Sequence, residues 1–562
     1  SDAMSTRQTL SLRAYGRSSQ VLSNIRVKRR VMSHRHHAAR ITCATIPEQD
    51  KRKTYWEKDA EHAIDLLRGD VELDDVDRAN IAHTLKMLAW LASTGQRAGS
   101  SGSTRFTSAP EDLLPDVDLP PAEPVRRTKL PREAEASPGY SNTILLQGFN
   151  WTSCSYSGGW YNHVQELATD IASAGFSHVY LPPPSQSVSD EGYLPQQLYQ
   201  LNSKYGSKDQ LVNVIKKLHE SGVKAVADIV INHRCADKQN DRGEWVIFSD
   251  EVDHAGSSLS WGDWAIVGND PAFSGTGAPA SGEIYGPAPD LDHSNPALRG
   301  ALVDWLNWLD TEIGYDGWRF DFAKGYSPIF TEEYVRSSVG PESFCVGEIW
   351  TSCMYGPNGL NANQDPHRQV LADWVDANKS TSSVFDFTTK AILQEAVNDQ
   401  FWRLKDERNR PPGFIGWWPN RAVTFVDNHD TGGTQNHWPF PQEHLMQGYA
   451  YILTHPGIPC VFWDHFREYG EEIARLIEVR KKADVKAESP VSIKAAEDRL
   501  YLAEVTGDRG SLLIKLGSQY ELGSLLAPDS KYELLTSGAN YAVWGKLHPK
   551  WEKTLNSLSS IE

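Results

Sequence analysis

Cysteine is scarce in this chain. Its 562 residues hold six (Cys43, Cys154, Cys235, Cys345, Cys353 and Cys460), and no two have CxxC spacing. That argues against a disulfide framework and for a reducing compartment. Long apolar runs are missing too: none approaches the roughly 20 residues that span a bilayer, so no membrane partner is expected. Nor is there an excess of basic charge. A formal net charge of −17 and a pI near 5.5 argue against a nucleic-acid surface and leave a neutral or cationic partner. What is abundant is aromatic: 19 tryptophans and 21 tyrosines, flat rings that suit core packing or the apolar faces of sugars.

The first 47 residues run the other way. They carry Arg7, Arg13, Arg17, Arg26, Lys28, Arg29, Arg30, Arg35 and Arg40 with several serines, and one acid, Asp2. No continuous apolar h-region is present, so the composition predicts an organelle transit peptide rather than a secretory signal. His34, His36 and His37 belong to this stretch. Residues 48–98 show helical spacing (Ala63, Leu66, Leu67; then Ile81, Leu85, Leu88, Leu91), and 99–141 turn to Ser, Gly and Pro, the composition of a linker.

From Thr143 short apolar runs alternate with amphipathic helices. The apolar runs are ILLQGFNW, FSHVYLPP, KAVADIVINH, GWRFDFA, FCVGEIW, VFDF, AVTFVDNHD and IPCVFWDH. Between the first three lie a helical stripe (Trp160, Val164, Leu167, Ile171) ended by Gly175 and a helix opened by Ser207 and stopped at Gly222. A further helix opens at Asn295 and Pro296. Strand, helix, strand repetition predicts parallel pairing, and eight such units predict a (β/α)8 TIM barrel over 142–482. The interval 234–289 breaks the rhythm with Gly, Ser and Pro and is predicted to be an excursion after strand three. Alternating runs from 483 to 550 predict a small C-terminal antiparallel β domain.

Polar residues recur where these strands finish: Asp228, Asn232 and His233; Arg319 and Asp321; Glu348; Asp427, His429 and Asp430. In a barrel they should converge on one bowl at the C-terminal face. In GWRFDFA, period-two alternation sets Arg319 and Asp321 on one side and Trp318, Phe320 and Phe322 on the other. An arginine beside an aspartate can orient it and hold it ionised. Carboxylates at separate strand ends supply a nucleophile, a proton donor and a stabiliser of an oxocarbenium-like state.

The segments ADIVINH, GWRFDFAKGYS, GEIWTS, FVDNHDTG, IGWWP and YAYILTHPGIPC closely resemble the plant-type α-amylases of glycoside hydrolase family 13, over about Ile144 to Trp544. The resemblance implies endo-hydrolysis of α-1,4 bonds in starch and related glucans, with retention of configuration, and delivery to a plastid where starch is stored, the cytoplasm being the alternative; a monomer is expected. Asp321 would be the nucleophile, Glu348 the general acid/base, and Asp430 the stabiliser of the distorted sugar. For retention the Asp321 and Glu348 carboxyls should stand about 5 to 5.5 Å apart. His233, His429, Arg319, Tyr193, Trp151 and Trp350 would surround the sugar, with Lys324 on the leaving side. Trp417 and Trp418, and Tyr520 on the C-terminal domain, match granule-docking positions, with packed loops as the alternative. The resemblance also implies calcium, at least one ion, held by Asn232, Asp290, the Gly325 carbonyl and Glu283, the carboxylate that PASGEIYGPAP offers. Asp250, Glu251 and Asp253 are candidates for a second site. An α-glucan transglycosylase and an inactive starch-binding homologue are the rival readings.

Cys154, Cys235 and Cys353 follow strand ends on the catalytic face and are read as unpaired thiols in preference to a redox switch. The sequons at Asn150 and Asn378 are read as chance matches.

Overall fold

The computed structural model describes residues 141–249, 260–522 and 531–548. The predicted transit peptide, the helical segment 48–98, the linker but for its last residue, and Asp250, Glu251 and Asp253 lie outside the described residues. Each of the eight predicted strands is present: β1 (Leu145–Gln147), β2 (His178–Leu181), β3 (Lys224–Ile229), β4 (Gly317–Phe320), β5 (Cys345–Gly347), β6 (Ser383–Phe385), β7 (Ala422–Phe425) and β8 (Ile458–Phe462). They close into one barrel in the order β1-β8-β7-β6-β5-β4-β3-β2, every neighbour parallel. The strands are short and almost wholly buried, because helices cover the outer face of a closed parallel barrel and side chains fill the inside.

Each strand is followed by a helix: α1 (Trp160–Ala174), α2 (Lys208–Glu220), α3 (Pro296–Trp308), α4 (Pro328–Arg336), α5 (Asp365–Ala377), α6 (Phe387–Ala396), α7 (Leu445–Thr454) and α8 (Trp463–Ala483). Local chemistry sets their ends. Ser207 and Gln210 cap α2 reciprocally, the Ser207 hydroxyl accepting from Gln210 N–H and the Gln210 side chain accepting from Ser207 N–H. Asn295 caps α3 ahead of Pro296, whose missing N–H costs nothing at the first helical position. Gly175 ends α1 with φ of 101°, the left-handed region where glycine escapes the Cβ penalty. The π turn Leu309–Ile313 that extends α3 is not legible in the apolar spacing.

β3 and β4 pair with Asp228 opposite Arg319, and β4 and β5 with Phe320 opposite Gly347, so three strand tips carrying polar groups finish side by side. The predicted alternation along GWRFDFA stops early. Trp318 and Phe320 are buried outside the bowl, but Phe322 turns to φ 42°, and the strand ends at Phe320.

The excursion leaves after His233 and returns at Asp290, and these two residues pair as an isolated bridge at its neck. Its described strands are Lys238–Gln239, Trp245–Ser249 and Ser260–Trp261. Beyond α8, β9 (Val491–Ala496), β10 (Tyr501–Thr506), β11 (Gly510–Leu516), β12 (Glu533–Gly538) and β13 (Tyr541–Leu547) form an antiparallel sheet ordered β9-β10-β11-β13-β12. Tyr501 of β10 shares a buried 2.9 Å hydrogen bond with His455, just past α7, which anchors the sheet to the barrel. Among the described residues no helix is long and apolar enough to cross a membrane.

Candidate active site

The bowl is organised by one guanidinium. Arg319 projects inward from β4 and is 1 % exposed; its Nη1 donates to Asp228 Oδ1 at 2.7 Å and Asp321 Oδ1 at 2.6 Å, and its Nη2 lies 3.0 Å from Glu348 Oε2. Tyr193 donates its hydroxyl to the other Asp228 oxygen at 2.9 Å. Phe322 donates its N–H to Glu348 Oε2 at 3.2 Å, so the left-handed turn that breaks the strand aims a backbone donor at Glu348.

His429 completes the opposite wall. Gln147, at the tip of β1, donates its amide to His429 Nδ1 at 2.7 Å, which leaves the proton on Nε2, 3.2 Å from Asp430 Oδ2. Trp151, Tyr193 and His429 lie parallel to one another, their centroids 5.2 to 6.0 Å apart. Trp350 stacks on Phe387. His233 stacks on Tyr285 at 3.9 Å and donates through Nε2 to the Tyr193 carbonyl.

Asp228, Asp321 and Glu348 are buried around Arg319 with the partly buried Asp430 close by, and this decides the electrostatics. Burial raises the proton affinity of Asp321, with Arg319 opposing it. Glu348 is raised by burial, against Arg319, and further by the charge on Asp321. Asp430 is held well above the carboxylate range by burial and then by Glu348. Asp228 is raised to about 7, again by burial first. Burial works to lower Arg319, but its carboxylate neighbours outweigh that and hold it charged. The expectation that Arg319 orients Asp321 is met by the contact, while its pKa direction shows desolvation outweighing the guanidinium. Asp321 shares the guanidinium with Asp228 and Glu348, and its charge adds to burial in keeping the proton on Glu348. Burial keeps His429 and His233 neutral, the latter near 4.

Asp427 does not join the bowl. Its carboxylate accepts from Lys390 Nζ of α6 at 2.9 Å, from the Thr431 hydroxyl at 2.9 Å and from Phe440 N–H, all buried. Gln147, Lys390 and the depth of Asp228 were missed as site features. The available signal was a polar residue inside an otherwise apolar strand or helix face.

At the neck of the excursion Asn232 Nδ2 donates to Asp290 Oδ1 at 2.8 Å. The buried Asn232 Oδ1 has no hydrogen-bond partner among the described residues. A Cβ at Gly325 would collide with that oxygen, so only glycine lets the backbone approach. Glu283 has another partner: Lys324 Nζ donates to its Oε1 at 2.9 Å. Among the described residues no cluster of three or more His, Cys, Asp or Glu side chains is arranged to hold a metal.

Outside the bowl, Trp417 and Trp418 are half-buried against the core, and the Arg368 guanidinium covers the Trp417 ring at 4.4 Å. Tyr520 is 72 % exposed, and its hydroxyl donates to Asn540. Burial pushes the Cys235, Cys345 and Cys353 thiols up to about 12 and raises Cys154 and Cys460, which disfavours reactive thiolate. Asn378 is fully buried with its amide donating to the Trp374 carbonyl, a poor glycosylation acceptor.

A parallel eight-stranded barrel whose strand tips gather carboxyls around one arginine, with aromatic rings beside them, defines a glycoside hydrolase. Residues 149–343 match the α-amylase catalytic domain and 482–545 the α-amylase C-terminal β-sheet domain. The chain is 45 % identical over 407 residues to probable alpha-amylase 2 of Arabidopsis thaliana, covering 72 % of this chain and 94 % of that protein. It is 44 % identical over 404 residues to the chloroplastic alpha-amylase 3 of the same plant, covering 71 % of this chain and 44 % of the relative. The crystal structure of an Anoxybacillus alpha-amylase superposes with a TM-score of 0.55 at 19 % identity, over 73 % of this chain and 98 % of that one, a likeness of fold. The chain belongs to the α-amylase family.

Proposed function

We propose that this protein is an endo-acting α-amylase that cleaves α-1,4-glucosidic bonds of starch and related glucans with retention. The observation that carries the reading is Arg319 bridging Asp321 and Glu348 through its two terminal nitrogens. Asp321, ionised against Nη1, attacks the anomeric carbon. Glu348 gives its proton to the departing glycosidic oxygen. The covalent glycosyl–Asp321 ester is then opened by water, whose proton returns to Glu348. Asp430 and His429 hold the sugar hydroxyls, Asp430 stabilising the distorted ring, and Trp151, Tyr193, Trp350 and His233 flank it. Lys324 lies on the leaving side. A close-set carboxyl pair, the retaining geometry, is supported by the shared guanidinium.

Incubation with maltoheptaose tests this. Shorter oligosaccharides released in the α configuration are expected. Products longer than the substrate would favour a transglycosylase, and no release at all a binding homologue.

Calcium fits the neck of the excursion. Asn232 Oδ1, the Asp290 carboxylate and the Gly325 carbonyl are hard oxygen donors of the type it takes, and the buried Asn232 oxygen lacks another partner. Glu283 is engaged by Lys324 and is left out of this set. The ion would neutralise Asp290 and fasten excursion to barrel. Calcium at 100 times its Kd should add about 2.7 kcal/mol of stability over chelator-treated protein. Identical melting temperatures in calcium and in chelator would reject the site.

Trp417 and Trp418 are proposed to dock on starch granules, with Tyr520 a second contact. The double variant Trp417→Ala, Trp418→Ala should adsorb to granules at least about fivefold more weakly, counting one ring face at about 1 kcal/mol. Its maltoheptaose hydrolysis should persist, and unchanged adsorption would assign both rings to packing. The proposed setting is a plastid, as a monomer. The basic, acid-poor segment 1–47 and the chloroplastic relative support the compartment.

A further inference from the structure

The excursion lies directly on the loop that follows the β4 aspartate. Glu283 N–H donates to the Lys324 carbonyl at 3.0 Å, and Lys324 Nζ donates back to Glu283 Oε1 at 2.9 Å. Ser327 N–H donates to Ser281 Oγ at 3.0 Å. Between them, a Cβ at Gly282 would collide with the Lys324 carbonyl and the Gly325 backbone, so the two segments run at backbone contact. Lys324 is therefore gripped by one residue at two points, main chain and side chain.

Lys324 stands beside the reacting groups. Ala323, the residue before it, donates its N–H to the Glu348 carbonyl at 3.1 Å, and the ammonium lies 4.9 Å from the centre of the Phe322 ring. Its charge also reaches Glu348, where it acts to lower the pKa. A lysine is a point charge on a flexible stem, and ordering that stem on a sugar hydroxyl costs conformational entropy. An ion pair as exposed as this one (Glu283 side chain 57 % exposed) adds little to stability, so fixing the direction of the ammonium is the larger effect of the contact.

We propose that Glu283 is a positioning residue for the acceptor side of the cleft, holding the Lys324 ammonium where the leaving part of an α-glucan emerges. The proposal rests on the hydrolase reading above and on the place that reading gives Lys324.

The test compares maltoheptaose with a nitrophenyl maltotrioside, whose aryl leaving group replaces the glucosyl residues Lys324 would meet. Glu283→Gln should lose about 3- to 10-fold in kcat/KM on maltoheptaose, mostly through KM, and less than about twofold on the aryl substrate. In a Lys324→Met background the same substitution should add nothing, and Glu283→Asp should recover part of the loss. Equal losses on both substrates, no loss on either, or additive losses in the Lys324→Met background would overturn the proposal. So would a Glu283→Gln protein whose melting no longer responds to calcium, because Glu283 would then be a metal ligand. Failure of the hydrolase reading itself is recognised separately, by an unsubstituted protein inactive on both substrates.

Discussion

Reducing-sugar release from soluble starch should fall by about 10²- to 10⁴-fold when Glu348 is replaced by glutamine. The amide is close to the carboxyl in shape, and its carbonyl oxygen can take the place of Oε2 between Arg319 Nη2 and the Phe322 N–H, so the fold should persist. What disappears is the proton. Glu348 is raised above the ordinary glutamate range by burial, against Arg319, and then by Asp321, so in the unsubstituted enzyme it stays protonated as pH climbs past that range. The rate should then drop as pH rises through the raised pKa. Asp321 must be ionised to attack, and since its own pKa is also raised, the acid limb should lie above the usual aspartate range. The glutamine variant should lose the alkaline limb. It should also be least impaired on an aryl maltoside, whose leaving group departs without protonation. A variant within tenfold of the parent on starch would remove Glu348 from the mechanism.

Loss of the buried Lys390–Asp427 pair should be the most damaging change to stability. Lys390 is fully buried on α6 and donates to Asp427 Oδ1, the Val426 carbonyl and Gln394, each at 2.9 Å. Lys390→Met would leave Asp427 buried without its cation, a change that costs about 3–5 kcal/mol when one partner of such a pair is removed. The damage should reach activity as well. Asp427 also holds Thr431 and the Phe440 N–H, so its carboxylate braces both sides of the segment that carries His429 and Asp430. Denaturant midpoints of Lys390→Met, and of Lys390→Met combined with Asp427→Asn, measure it. The double variant should recover part of the loss because the stranded charge is gone. A single-variant loss under about 1 kcal/mol would mean that water or another group compensates.

The eight strands were legible because each is a short apolar run, and because the helix starts at Ser207 and Asn295-Pro296 and the helix end at Gly175 have local physical causes. The carboxylates were legible because they interrupt apolar strands at their C-terminal ends. Local pattern failed at Phe322, where alternation predicts a strand residue and the chain turns to a left-handed conformation instead. It failed again at Asp427, whose position at a strand tip matches that of the bowl residues.

By itself the sequence determined the barrel, the excursion after its third strand, and most of the acids that reach a common face, since apolar period and capping chemistry act within a few residues. Only the tertiary structure decided that Arg319 is shared by three carboxylates, that Asp427 belongs to Lys390, and that Glu283 holds Lys324. Those pairings join residues 2 to 91 positions apart. Which acid a buried cation takes depends on the register of strands and the reach of side chains after closure, and no local interaction encodes either.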